Sequence, residues 1–120
     1  MLLFVYGTLR QGEINHSQLA DARFVAEAET DPLFDLVDLG GYPALLEGGR
    51  TAVRGELYEL GEALLRRIDA FEDVPRLYER TQIHVGGERA HVYVLPRDRA
   101  TTAARIHSGD WCAVAGRNCS

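Results

Sequence analysis

Ile68-Asp69-Ala70-Phe71-Glu72-Asp73-Val74-Pro75-Arg76-Leu77-Tyr78 marks the point where the one strongly helical pattern of this chain stops. From Glu62 to Glu72, the apolar residues Leu64, Leu65, Ile68 and Phe71 recur at helical spacing, which predicts one helix with a single buried face. Advancing about 100° per residue places Glu72 roughly 50° from the centre of that face and Asp73 roughly 150° away, towards water. Of two adjacent acids, one therefore points inward or at a rim and the other outward. An ionised carboxylate seldom sits in such a place without a partner or a task. The wheel alone leaves two readings open: a buried ion pair with Arg80 or Arg54, or an acid/base group of perturbed pKa.

Outside this helix the patterned stretches read as strands. Immediately after it, Glu79 to Val85 and Glu88 to Leu95 predict a hairpin over Gly86-Gly87, a two-residue turn that suits strand twist. That turn sets Ile83 opposite Ala90, Thr81 opposite Val92 and Arg80 opposite Tyr93. Before the helix, Ala52 to Leu60 is a strand with Val53, Gly55 and Leu57 on one face, and Gly55 signals a bend or a close backbone approach. Tyr42 to Glu47 is a short strand after the Gly40-Gly41 turn, and Leu33 to Leu39 alternates. Arg23 to Glu29 also alternates, except at Val25. Leu2 to Tyr6 is a continuous apolar run, as in a strand buried on both faces. Asn15 is placed to cap a short helix over His16 to Ala22. At the other end, Ile106 to Trp111 reads as a turn carrying an aromatic plug, with little signal beyond it.

These elements predict an α+β fold in one domain spanning 1–120: a small, mostly antiparallel β-barrel with one or two flanking helices and a loose tail from about 112 to 120. At 120 residues a core can form without staples. A net charge of −5 argues against broad nucleic-acid or anionic-membrane binding. No apolar run reaches membrane-spanning length, and the apolar N-terminus lacks the basic flank of a signal peptide. The two cysteines, Cys112 and Cys119, form neither a disulfide framework nor a CxxC motif, and nothing near Cys112 would activate it. The expected setting is reducing and cytoplasmic. The histidines, His16, His84, His91 and His107, have no metal-ligand spacing, and His84 and His91 share the outer face of the hairpin. Ser108, His107 and Asp110 are too close in sequence to aim at one atom as a triad.

Tyr6-Gly7-Thr8-Leu9-Arg10-Gln11-Gly12 is a polar loop bracketed by glycines directly after the buried strand. Gly permits backbone shapes in which successive N–H groups face one point, an anion nest, although an ordinary glycine turn has the same spelling. No Lys-Ser/Thr follows, so it is not a P-loop.

Six stretches, in order, resemble one family, the gamma-glutamylcyclotransferase-like proteins, and within it the AIG2-like and gamma-glutamylamine cyclotransferase branch. They are Phe4-Val5-Tyr6-Gly7-Thr8-Leu9-Arg10, Gly40-Gly41-Tyr42-Pro43-Ala44-Leu45, Val53-Arg54-Gly55-Glu56-Leu57-Tyr58, Ile68 to Glu72 with Tyr78-Glu79-Arg80, Ala90 to Val94, and Ser108-Gly109-Asp110-Trp111. The resemblance implies a small barrel with a cavity at its rim and release of 5-oxoproline from a small-molecule gamma-glutamyl substrate. It implies Glu72 as the acid/base, and Tyr6, Gly7, Thr8 and Leu9 as the loop that holds the substrate. Tyr78 and Tyr93 are candidates for substrate contact or for barrel wall. The reading needs no metal and no organic cofactor, and expects a monomer or weak dimer. Two other readings use the same scaffold: a non-catalytic binder of small molecules, and an interaction module with an exposed barrel edge.

Overall fold

The computed structural model describes residues 1–114. Eight strands and one α-helix follow in the order β1 (Leu2–Val5), β2 (Arg23–Glu29), β3 (Phe34–Asp38), β4 (Pro43–Glu47), β5 (Arg54–Glu59), α1 (Glu62–Phe71), β6 (Glu79–Val85), β7 (Glu88–Val94) and β8 (Ala104–Arg105). The sheet runs β2-β5-β1-β7-β4-β3-β8, with β6 on β7. The pairings β1/β5, β2/β5, β3/β4, β3/β8 and β6/β7 are antiparallel, whereas β1/β7 and β4/β7 are parallel. The expectation of a mostly antiparallel α+β sheet thus holds, with a parallel seam at its centre.

That seam positions the site. β6 occupies one edge of β7 along its whole length, so β1 and β4 must share the other. β1 meets β7 at His91 and β4 meets it at Val94, so β1 peels away where β4 takes over. Thr30, just past β2, bridges to Val85 at the end of β6, which curls the sheet into a split barrel. The hairpin register is as the Gly86-Gly87 turn predicts, including Arg80 opposite Tyr93.

Two packed layers result. Phe4, Leu36, Leu45, Val53, Leu57, Val92 and Trp111 fill the barrel interior. Leu3, Val5, Val37, Tyr58 and Leu95 pack on the outer face beneath Leu64, Leu65 and Ile68 of α1. β1 is buried on both faces, which explains its unbroken apolar run. A Cβ on Gly55 would come within 2.2 Å of the Val5 carbonyl, so β5 needs glycine to lie this close to β1.

Several expectations need correction. The segment after Asn15 is a four-residue 3-10 turn, His16–Leu19, and the Asn15 side chain does not cap it but donates to Thr8 Oγ1 (3.0 Å). Phe71 is not inside the helix face but 41% exposed. The alternation read over 33–39 does not divide a buried face from an exposed one, since 34–37 are all buried; Asp35 among them is held by Arg97 (2.7 Å) and Arg105 (3.4 Å), and its hydrogen bond from Arg97 lowers its pKa. Trp111–Ala113 forms a 3-10 turn and Val114 packs against the interior. The remainder of the expected tail, 115–120, lies outside the described residues. Cys112 is disulfide-bonded, a pairing that the reading of the two cysteines as no disulfide framework did not include. Among the described residues no helix is long and apolar enough to cross a membrane.

Candidate active site

A cavity of about 250 Å³ opens where β1 leaves β7. Its wall includes Tyr6, Gly7, Thr8, Leu9, Glu72, Tyr78 and Tyr93, so the residues singled out in the sequence converge on one space. Glu72 is the C-cap of α1, one residue past its last helical residue. The chain reverses there: Glu72 has ψ of 5°, Asp73 takes a left-handed φ of 56°, and a cis Val74-Pro75 bond follows. Aspartate tolerates this φ better than most residues. The reversal leaves Glu72 against the cavity, while Asp73 pairs with Arg76 (3.1 Å) outside it.

Burial alone raises the Glu72 pKa to about 7. Desolvation penalises the carboxylate, and among the described residues no cation compensates it. The partners that an ion-pair reading requires are engaged elsewhere: Arg80 with Asp69 (2.8 Å) and Arg54 with Glu29 (3.7 Å). Glu72 is therefore a half-buried acid that titrates near neutrality, as a group that both takes and gives a proton should.

The opposite wall is the glycine loop. Among the described residues the amides of Gly7, Thr8 and Leu9 donate to no protein acceptor, although Gly7 and Leu9 are buried. Buried amides without partners are rare and call for water or a ligand. Gly7 is required sterically, because a Cβ there would lie 2.6 Å from Pro43 Cγ.

The loop is held from behind. Arg10 is 9% exposed, and it donates through Nε to Glu56 (3.3 Å) and through Nη1 to Asp110 (2.8 Å). Glu56 also accepts from the Gln11 amide and the Tyr58 hydroxyl, each at 3.0 Å. Trp111 Nε1 donates to Glu13 (2.9 Å), and His16 Nδ1 lies 2.9 Å from the Leu9 carbonyl. Sequence reasoning quoted Arg10, Glu56, Tyr58 and Asp110 within motifs without assigning them to the loop, read Trp111 as an aromatic plug, and did not single out Glu13.

The three tyrosines are more constrained than expected. Tyr6 donates to the Tyr93 carbonyl (2.7 Å) and accepts from the Leu45 amide (3.1 Å), stitching β7 to β4 across the gap that β1 leaves. Tyr78 donates to the Pro43 carbonyl (2.7 Å) and Tyr93 to Asp69 (2.8 Å). Burial pushes all three phenol pKa values upward, so none supplies a phenolate near neutral pH. What Tyr78 and Tyr93 can still offer is an oxygen lone pair. His91 is not free on an outer face: it accepts from Arg80 Nη1 (2.8 Å), and burial lowers its pKa. His84 is exposed. Among the described residues no cluster of three or more His, Cys, Asp or Glu could hold a metal ion.

Comparison with known proteins gives a consistent result. Residues 3–113 match the family described as gamma-glutamyl cyclotransferase, AIG2-like. A Vibrio cholerae protein provisionally named gamma-glutamylcyclotransferase is 42% identical over 111 residues, covering 92% of this chain and 95% of that one. The Bos taurus gamma-glutamylaminecyclotransferase is 42% identical over 95 residues, which cover 72% of this chain but 56% of the bovine protein. The crystal structure of an AIG2-like protein from Mus musculus matches with a TM-score of 0.83 at 32% identity, covering 99% of this chain and 94% of that one.

Proposed function

The chain belongs to the AIG2-like gamma-glutamyl cyclotransferase family, and on that premise we propose that it releases 5-oxoproline and a free amine from a gamma-glutamyl amine or peptide. The observation that carries the proposal is Glu72: a carboxyl raised to about 7 by burial, across one cavity from the amides of Gly7, Thr8 and Leu9.

The substrate's alpha-nitrogen must attack its own gamma-carbonyl. At neutral pH that nitrogen is an ammonium, so Glu72 first accepts a proton from it. The nitrogen then forms the new C–N bond of the five-membered ring, and the gamma-carbonyl becomes an oxyanion. A second proton leaves the attacking nitrogen, the original amide C–N bond breaks, and both protons end on the departing amine, which leaves as an ammonium. Glu72 passes these protons from one nitrogen to the other, work for which a pKa near the working pH is best. Because the attack is intramolecular, the protein's other task is to hold the chain folded. The amides of Gly7, Thr8 and Leu9 hold the alpha-carboxylate or the oxyanion. The oxygens of Tyr78 and Tyr93, whose protons are already donated, can accept from the substrate's ammonium or from the departing amine.

The test is 5-oxoproline release from gamma-glutamyl amides by the wild type, with Glu72→Gln and Asp73→Asn alongside. The expected result is loss in Glu72→Gln and near-normal turnover in Asp73→Asn. Binding without turnover by the wild type would make the protein a binder and not an enzyme.

A further inference from the structure

We propose that the mouth of the Glu72 cavity selects gamma-glutamyl amides whose departing amine carries an aromatic or aliphatic group, over those whose amine carries a charge. The inference rests on the cyclotransferase reading above and deepens it. Seven large apolar side chains are substantially exposed in the described residues, and three of them, Ile14 at 82%, Tyr42 at 39% and Phe71 at 41%, line this one cavity. The rest lie elsewhere: Phe24 packs its ring against Tyr58, for example, and Leu33 borders a separate groove. Half-buried Leu77 joins the three at the mouth. Exposed apolar side chains gathered around a concave site mark where an apolar ligand surface is covered.

Charge tells the same story. Among the described residues that line the cavity Glu72 is the one carboxylate, and there is no Arg or His. The cations on adjoining segments are occupied: Arg76 pairs with Asp73 (3.1 Å), and Arg99 donates to the carbonyls of Pro75 (3.3 Å) and Leu77 (2.9 Å). A carboxylate on the departing amine would find no cation among the described lining residues and would sit near Glu72 itself. An ammonium on its tail would find no second acid among the lining residues. Phe71 directly precedes Glu72, so whatever is bonded to the nitrogen that Glu72 protonates passes next to Phe71. Ile14 and Tyr42 approach from two other loops and complete an apolar collar around it.

The experiment compares kcat/KM for 5-oxoproline release from gamma-glutamylbenzylamide, gamma-glutamylglycine and gamma-glutamylputrescine, in the wild type and in Ile14→Arg and Phe71→Arg. Both positions are exposed, so the variants should fold. The benzylamide should be preferred by roughly 10-fold or more, the discrimination that a few methylenes of apolar contact supply. Either arginine should cut that preference several-fold, most clearly against gamma-glutamylglycine, which gains a counter-cation. Equal or better turnover of the glycine or putrescine compounds by the wild type would overturn the inference while leaving the cyclotransferase reading intact. Sedimentation covers a further alternative. A dimeric wild type made monomeric by Ile14→Arg, with substrate ranking unchanged, would make the collar a contact between copies and overturn the inference. No 5-oxoproline from any of the compounds would overturn both.

Discussion

Glu72→Gln separates a strained base from a satisfied carboxylate, because the two readings predict opposite changes in stability. A carboxyl whose pKa moves from 4.5 to about 7 on folding binds its proton more tightly in the native state, a difference of up to ~3 kcal/mol. Since the folded-state pKa lies above the unfolded one, the native chain carries no penalty below about pH 4.5. The penalty grows as pH rises to about 7 and is constant beyond that. Glu72 is half-buried, so water screens part of the effect, and ~1–3 kcal/mol is the figure to expect. Glutamine cannot ionise and escapes the penalty. The variant should therefore melt roughly 3–10 °C above the wild type at pH 8, and no higher than the wild type near pH 4.5. Its turnover should fall by roughly 10²–10⁴-fold, the worth of a positioned acid/base. In the wild type, kcat/KM should rise with pH towards a plateau above about 7. Thermal melts across that pH range and 5-oxoproline release measure both halves. A variant that melts below the wild type at pH 8 would refute the reasoning, because the carboxylate would then have a partner whose loss destabilises the fold.

Three other substitutions probe the surroundings. Gly7→Ala places a Cβ 2.6 Å from Pro43 Cγ, so the loop must shift and KM should rise by roughly 10-fold or more; unchanged kinetics would reduce the loop to a plain turn. Arg10→Met strips Glu56 and Asp110 of their shared cation and should cost ~3–5 kcal/mol in chemical denaturation, with Arg10→Lys recovering only part because one ammonium cannot reproduce the fork. Tyr78→Phe removes one hydrogen bond to Pro43, worth ~1 kcal/mol; a loss of turnover beyond about 10-fold would assign the hydroxyl a part in proton transfer.

Much of the fold was legible because it rests on local pattern. The period of 3.6 in α1, the Gly86-Gly87 turn and the unbroken apolar run of β1 each state their structure within a few residues. Even the lapse in alternation at Val25 has a structural counterpart, since the β2/β5 register shifts between Phe24 and Ala26 and Val25 falls in the irregularity. What the pattern could not state is the parallel seam. Nothing in β1, β4 or β7 by itself says that β1 and β4 share an edge of β7, because that depends on the curl of the whole sheet. Phe71 was misplaced for a similar reason. The wheel assigns it to the apolar face, but that face runs past the end of the packed layer and into the mouth of a cavity, where an apolar side chain meets ligand or water and not core.

The candidate site divides along the same line. Glu72 and the glycine loop could be found because each is locally odd: an acid on the apolar side of a helix, and a polar glycine-bracketed loop after a buried strand. The clamp behind the loop could not, since Arg10 lies 46 residues from Glu56 and 100 from Asp110. The Glu56-Leu57-Tyr58 strand and the Asp110-Trp111 turn add no residue to the cavity wall, yet both bond to Arg10, Gln11 or Glu13, in or just after the second half of the glycine loop. Amides left without acceptors gain nothing from solvent once buried, and a loop free to relax would turn them towards some carbonyl. Arg10, gripped by two acids, denies it that relaxation. On the proposed function, the charged residues far from the cavity hold in place the loop whose residues line it, and it is that loop, not the clamp, that a substrate would meet.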